Sequence, residues 1–537
     1  MVGGGRRGYR ARIAGCFAAV ALLTGAAAAD GSGAPSSVGG QSGVPPAATV
    51  VVTGRGAVRG TVRDGMRMFL GVPYAAPPVA GLRWRPPLPH RAWSGIRDAT
   101  AFRSSCPQAP SLYWHGSTNE DCLFLNVFTP LAASMGRGYP VMVWIHGGGL
   151  VSGESSVFLP SGLVARKVIV VTIDYRLGVL GFLAAPALSA ESRDRTSGNY
   201  GLLDQQLALS WVRQNIERFG GDPHNVTLFG ESAGGLSVHA QLASPAAGGL
   251  FQRAVVESGG YAGSQPPLPA AERVGKAFAA RLGCGATDAA CLRRIPTATL
   301  LANGAFFDPT PIVDGHVLTR PLTAAFTSGR FNRVPVLEGS NHDEFRFFLA
   351  SEAPAAAGST AAGYRAAIAR TLEVNPSVAA RIAARYPLHR YPSSALALAA
   401  AATDAVYACR AHAAVQALSR FVPTYQYEFN DEFAPRFFPG PPSRFPLGAY
   451  HTAELGYLFV LRGYPSGLTG GHEKLARTML DRWTTFAKTG DPGPGWPRYS
   501  SATDTVESLE PPQPTTETGF AVAHSCAFWS RTPVAAG

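Results

Sequence analysis

Two stretches of this chain are apolar without alternation, and each runs into a sharp turn. "PVMVWIHGGGL" (140–150) ends in a glycine triplet, and "KVIVVTIDYRLG" (167–178) ends in a polar turn. Unbroken apolar runs of that length predict strands buried on both faces, as in a parallel sheet covered by helices. Earlier, "ATVVVTGRGAVRGTV" (48–62) alternates and predicts an antiparallel hairpin. "LDQQLALSWVRQNIERFG" (203–220) carries apolar residues at helical spacing and stops at Gly220. "NVTLFG" (225–230) reads as a strand, and "SAGGLSVHAQLAS" (232–244) opens a helix. From 355 to 420 the chain is Ala-rich, which predicts helices over the upper edge of the sheet. There is no internal repeat, and no linker divides residues 49–532. The expected fold class is α/β, as one unit.

Composition narrows the function classes. Of 537 residues, 46% are hydrophobic and 15% charged, which is globular and not disordered. The formal charge of +12 comes almost wholly from scattered arginines. A nucleic-acid surface needs cations clustered on one face, so no nucleic-acid partner is expected. Arg6, Arg7, Arg10 and Arg12 precede "IAGCFAAVALLTGAAAA", which ends in small residues at Ala27 and Ala29. That pattern predicts a secretory signal over 1–29 and not a stable membrane span. Its removal leaves the chain near +8. A flexible Gly/Ser/Pro linker is expected over 30–48, and 533–537 form a tail. Cys16 leaves with the signal. Six cysteines remain, an even number that suits an exported chain with three bridges and leaves fifteen pairings open. The simplest local guess joins Cys106 to Cys122 and Cys284 to Cys291, leaving Cys409 and Cys526. No spacing resembles a zinc site.

The candidate chemistry sits between the strand and helix around residue 232. "GESAG" (230–234) is a G-x-S-x-G whose small residues let a strand turn sharply into a helix with Ser232 at the tip. Acyl transfer at a serine needs a base, an acid to orient it, and N–H donors for the developing oxyanion. "HGGG" (146–149) ends a buried strand, so the donors read as the N–H groups of Gly148, Gly149 and Ala233. In this architecture acid and base follow the nucleophile in that order. His451 in "GAYHTAELGYLF" stands in a loop entering a helical run. Asp343 and Glu344 both follow the strand "VPVLEGS", and the residues alone do not choose between them. The run "HDE" also suggests metal ligands, but no second ligand cluster accompanies it.

The chain resembles the carboxylesterase/cholinesterase family, the type-B carboxylesterases, over about residues 49–532. "FLGVPYAAPP", "NEDCLFLNVFTP", "WIHGGG", "NYGLLDQQLALSWVRQNIERFGGDPHNVTLFGESAGG", "PIVDG" and "FAKTGDP" carry the resemblance. It implies an α/β-hydrolase fold: a large, mostly parallel sheet, helices on both faces and helical insertions over the active site. It implies Glu344 as the acid and His451 as the base. It places Gly148 and Gly149 in the oxyanion loop, beside the Ala233 N–H read above, and Glu231 and Ser258 beside the triad. It implies the bridges Cys106–Cys122, Cys284–Cys291 and Cys409–Cys526. Trp114, Leu150, Phe307, Phe347 and Phe348 become candidates for the substrate pocket. Phe345 after the acid and Leu150 after the glycines depart from the residues frequent there. The expected function is a secreted serine carboxylesterase that acts on a small-molecule ester, as a monomer without metal or organic cofactor. A lipase, sterol esterase or choline-ester hydrolase is the alternative within the family. An inactive adhesion or binding protein of the same fold, which the family also includes, is the alternative from another class.

Overall fold

The apolar runs become the inner strands of one large sheet. In this computed structural model the described residues are 49–532 and 534, apart from 112, 133, 135, 261–262, 352–359, 439–442 and 465–466. The expected signal and linker lie outside them, as does most of the tail. The alternating N-terminal segment forms the expected hairpin. Val50–Val52 pairs antiparallel with Ala57–Arg59, and Ile96–Asp98 adds a parallel third strand.

The main sheet has 11 strands. In chain order they are β1 (Thr61–Arg63), β2 (Met66–Pro73), β3 (Phe124–Pro130) and β4 (Tyr139–Ile145). β5 (Ile169–Ile173), β6 (Gly221–Glu231), β7 (Arg253–Glu257) and β8 (Val336–Asn341) follow. β9 (Thr424–Phe429), β10 (Thr505–Leu509) and β11 (Thr515–Thr518) complete it. The spatial order is β11-β10-β9-β8-β7-β6-β4-β5-β3-β2-β1. From β5 to β10 every neighbouring pair is parallel, and the pairings beyond them at both flanks are antiparallel. Every residue of β5 is buried, which is why its sequence is apolar without alternation.

The predicted helix forms as α1 (Tyr200–Asn215), continued by a 3-10 turn to Phe219. Gly220 closes it at φ 93°, the left-handed conformation that favours glycine. β6 reaches further back than the apolar run suggested. At its other end it feeds α2 (Ala233–Ala243), a helix buried along its whole length against β6 and β7. α3 (Glu344–Ser351) follows β8. The Ala-rich region folds as α4 (Ala361–Thr371), α5 (Pro376–Arg385), α6 (Ser394–Thr403) and α7 (Cys409–Leu418). Thr360, Asn375 and Ser393 cap the first three through their side chains. Between α6 and α7 the chain makes a π turn, Asp404–Ala408, which packs with α7 on β8. α8 (Gly471–Thr489) lies against β4 and β6. Disulfides join Cys106 to Cys122, Cys284 to Cys291 and Cys409 to Cys526. No helix among the described residues is long and apolar enough to cross a membrane.

Candidate active site

Ser232 stands between β6 and α2 at φ 55° and ψ −121°. A non-glycine residue holds that conformation only where its surroundings impose it. The glycines around it show how. A Cβ on Gly230 would lie 2.7 Å from Ile145 O, and one on Gly234 would lie 2.0 Å from the same oxygen. The strand and helix can approach β4 so closely only because both positions lack side chains. Ser232 N–H is tied down by Glu257 O at 2.9 Å.

The loops that carry Glu344 and His451 meet above the ends of β8 and β9. Glu344 Oε2 lies 2.5 Å from His451 Nδ1, and both residues are fully buried. The other oxygen of Glu344 accepts from Asn341 N–H at 2.9 Å. Asn341 also donates through Nδ2 to Tyr450 O at 2.8 Å and to Glu454. Asp343, the neighbouring carboxylate, faces the histidine loop instead. Its N–H donates to Ala449 O at 2.9 Å, Ala449 N–H donates back to Oδ2 at 3.1 Å, and Arg346 pairs with Oδ1 at 2.7 Å. Glu344 thus touches the imidazole while Asp343 clamps the loop that carries it. The ring packs against Phe348 at 5.0 Å and against Tyr407, on the π turn, at 5.1 Å. Thr452, just beyond it, is β-branched at φ 76°, a strained position.

The structure brings Ser232, His451 and Glu231 onto one cavity of about 20 Å³, room for a single water. Gly147, Gly148, Tyr113, Trp114, Phe158, Phe347, Phe438, Thr452 and Leu455 line the rest. Gly148 (φ 104°) and Gly149 (φ 64°) need the freedom of glycine, and a Cβ on Gly148 would strike Ser152 O at 2.1 Å. Among the described residues no group accepts from the N–H of Gly148, Gly149 or Ala233. Of the five pocket candidates, Trp114 and Phe347 reach this cavity. Phe348 lies behind the imidazole. Leu150 is buried at φ 61° with its carbonyl accepting from Gly178 N–H, and Phe307 packs on Phe278 at 6.2 Å, so neither lines it.

Four glutamates, Glu231, Glu257, Glu344 and Glu454, are buried near His451. Burial pushes Glu231 well above the usual carboxyl range, and the charges of Glu454, Glu344 and Glu257 push it further. Burial, then Glu257 and Glu344, does the same to Glu454. Glu231 Oε1 lies 3.1 Å from His451 Nε2. Burial raises Glu257 to about 8 although Trp483 donates to it at 2.8 Å. Ser258, fully buried at φ 50°, follows Glu257 and donates its N–H to Gly339 O. Sequence reasoning missed Glu257 and Glu454. Glu454 had a signal, since it follows His451 by three residues within "HTAE". Phe158 and Phe438 had none. No group of three His, Cys, Asp or Glu side chains among the described residues could hold a metal.

The carboxylesterase family model matches residues 47–529. Fumonisin B1 esterase from Sphingopyxis macrogoltabida is 37% identical over 471 residues, covering 83% of this chain and 84% of that protein. Para-nitrobenzyl esterase from Bacillus subtilis (strain 168) is 36% identical over 483 residues, covering 84% and 93%. A solved structure of a PNB esterase superposes with a TM-score of 0.73 at 36% identity, covering 88% of this chain and 97% of that one.

Proposed function

The chain belongs to the carboxylesterase family, and from that premise we propose that it is a serine esterase working through a Ser232–His451–Glu344 triad. Its fold is that of the α/β-hydrolases, and it is a carboxylic ester hydrolase. His451 takes the hydroxyl proton as Ser232 Oγ attacks the ester carbonyl. Glu344, acceptor at Nδ1, fixes the tautomer and stabilises the imidazolium that forms. The displaced carbonyl electrons rest on an oxyanion held by the N–H groups of Gly148, Gly149 and Ala233. Collapse expels the alcohol, which takes the proton from His451. Water, deprotonated by His451, then attacks the acyl-serine, and the acid is released as Ser232 Oγ takes the proton back from His451.

The observation that carries this reading is the 2.5 Å contact of Glu344 with His451, whose ring borders the same cavity as the strained Ser232. The cavity's narrow, aromatic lining favours neutral esters with a short acyl group or a flat aromatic alcohol. Export of the chain, with residues 1–29 removed, is supported by the three disulfides, which persist in an oxidising compartment. Hydrolysis of nitrophenyl esters from acetate to palmitate tests the reading. The expected rate peaks at short chains and vanishes in Ser232→Ala. A peak at long chains moves the substrate to lipids, and activity surviving the substitution removes the mechanism.

A further inference from the structure

His146 precedes the oxyanion glycines and does not border the cavity. The ring is fully buried, stacked 4.6 Å from Tyr175, whose hydroxyl donates to His146 O at 2.9 Å. Its Nδ1 lies 2.8 Å from Gly147 O. A carbonyl oxygen can only accept, so Nδ1 carries the hydrogen. Burial holds the ring down at about 4, so it is neutral at physiological pH and Nε2 bears the lone pair. Nε2 has no hydrogen-bond partner among the described residues and lies 4.0 Å from Asp174 Oδ1.

We propose that His146 is a positioning residue, which sets the Gly147–Gly148 peptide so that its N–H faces the acyl oxygen. The inference rests on the serine-esterase reading above, in which Gly148 N–H is an oxyanion donor. In a trans peptide the C=O and N–H point in opposite directions. The imidazole draws Gly147 O to itself, and this turns Gly148 N–H the other way. Gly147 and Gly148 both border the cavity that Ser232 shares. A hydrogen bond at the carbonyl also polarises the amide and makes its N–H a better donor. The surroundings are built for this contact. A Cβ on Gly153 would lie 2.3 Å from Nδ1 and 2.5 Å from Gly147 O, at φ 117°. Gln108 grips that glycine from both sides, accepting from its N–H at 2.9 Å and donating to its O at 2.8 Å.

The test compares His146→Phe, which keeps an aromatic ring on Tyr175, with His146→Asn, whose amide can donate from nearly the Nδ1 position. Removing an oxyanion donor outright costs on the order of 10²–10³ in kcat, so misaligning one costs about tenfold or more. His146→Phe is expected to lower kcat by that factor with KM little changed. It should weaken a trifluoromethyl ketone, whose adduct with Ser232 carries an oxyanion, by the same factor, while the matching methyl ketone binds as before. His146→Asn is expected to recover most of the loss. Equal activity in the two variants, or an unchanged trifluoromethyl ketone affinity, overturns the proposal. If His146→Phe does not fold, ¹⁵N spectra of the unsubstituted protein decide, with His146 assigned by its absence from His146→Asn. A proton on Nδ1 supports the proposal and one on Nε2 overturns it. Failure of the underlying reading shows separately, as ester hydrolysis by Ser232→Ala.

Discussion

Replacing Gly234 with alanine adds one methyl group at the tightest point beneath Ser232, the proposed nucleophile. That Cβ would lie 2.0 Å from Ile145 O and 2.8 Å from Ile145 C. Both are backbone atoms of the inner strand β4, so no side-chain rotation relieves the contact. Ordinary van der Waals separation begins near 3.4 Å, so α2 and β4 must part by about 1.4 Å. Ser232 lies at the N-terminus of α2, whereas Gly148 and Gly149 follow β4 directly. The displacement therefore opens the gap between Ser232 and the N–H groups of Gly148 and Gly149, which the proposed mechanism uses as nucleophile and oxyanion donors. A misplacement of about 1 Å costs on the order of 10²-fold in rate. Overpacking of this kind also costs about 1–3 kcal/mol in stability. The assay is kcat/KM for nitrophenyl butyrate, with active sites counted by fluorophosphonate titration so that misfolded protein does not enter the rate. The expected result is a fall of about 10²-fold per titrated site, with a lowered Tm. A Gly234→Ala enzyme within about threefold of wild type and equally stable would refute the argument that this glycine sets the approach.

The remaining predictions concern pH, a disulfide and the histidine loop. Glu257, fully buried, has a folded pKa of about 8 against an ordinary 4.5. Below 4.5 both states hold the proton; as pH rises the unfolded chain ionises first, so stability falls until the folded group ionises at about 8. Glu257→Gln should flatten the loss of unfolding free energy between pH 5 and 8, on the order of a few kcal/mol, in denaturant melts at each pH, and an unchanged slope would count against it. Cys409 and Cys526 close a loop of 117 residues, worth about 4 to 5 kcal/mol on the chain-entropy model, so Cys526→Ser should lower Tm by roughly 4 °C in a thermal melt of a domain this size. Asp343→Ala removes the acceptor of Ala449 N–H and the partner of Arg346. Steady-state kinetics should show kcat down about tenfold with KM little changed, and an equal rise in KM would contradict a role in holding His451.

What the sequence made legible is what a local pattern can encode. The unbroken apolar runs at 140–145 and 168–173 became β4 and β5 because a strand covered on both faces has no solvent side to mark. The glycines at 230 and 234 announced a sharp turn because no other residue tolerates that approach to Ile145. Glu344 and Asp343 could not be ranked from the residues, since both follow the same strand. The choice depends on which carboxylate the loop around 449–451 meets, and that is a tertiary contact. The cavity was least legible. Trp114, Phe158, Phe347 and Phe438 reach it from four separate segments, and nothing local distinguishes them from Phe307, which packs on Phe278. Tyr407 reaches His451 only because the helix loosens into a π turn at Asp404–Ala408, a backbone irregularity without a composition signature.

The central claim is that Ser232 carries the acyl group. The most direct measurement is the mass of the intact protein after reaction with a fluorophosphonate, followed by peptide mapping. The account predicts one label per chain, on Ser232, appearing in step with loss of ester hydrolysis and absent from Ser232→Ala. A label on another residue, or full inactivation of a Ser232→Ala enzyme that still hydrolyses esters, would contradict it.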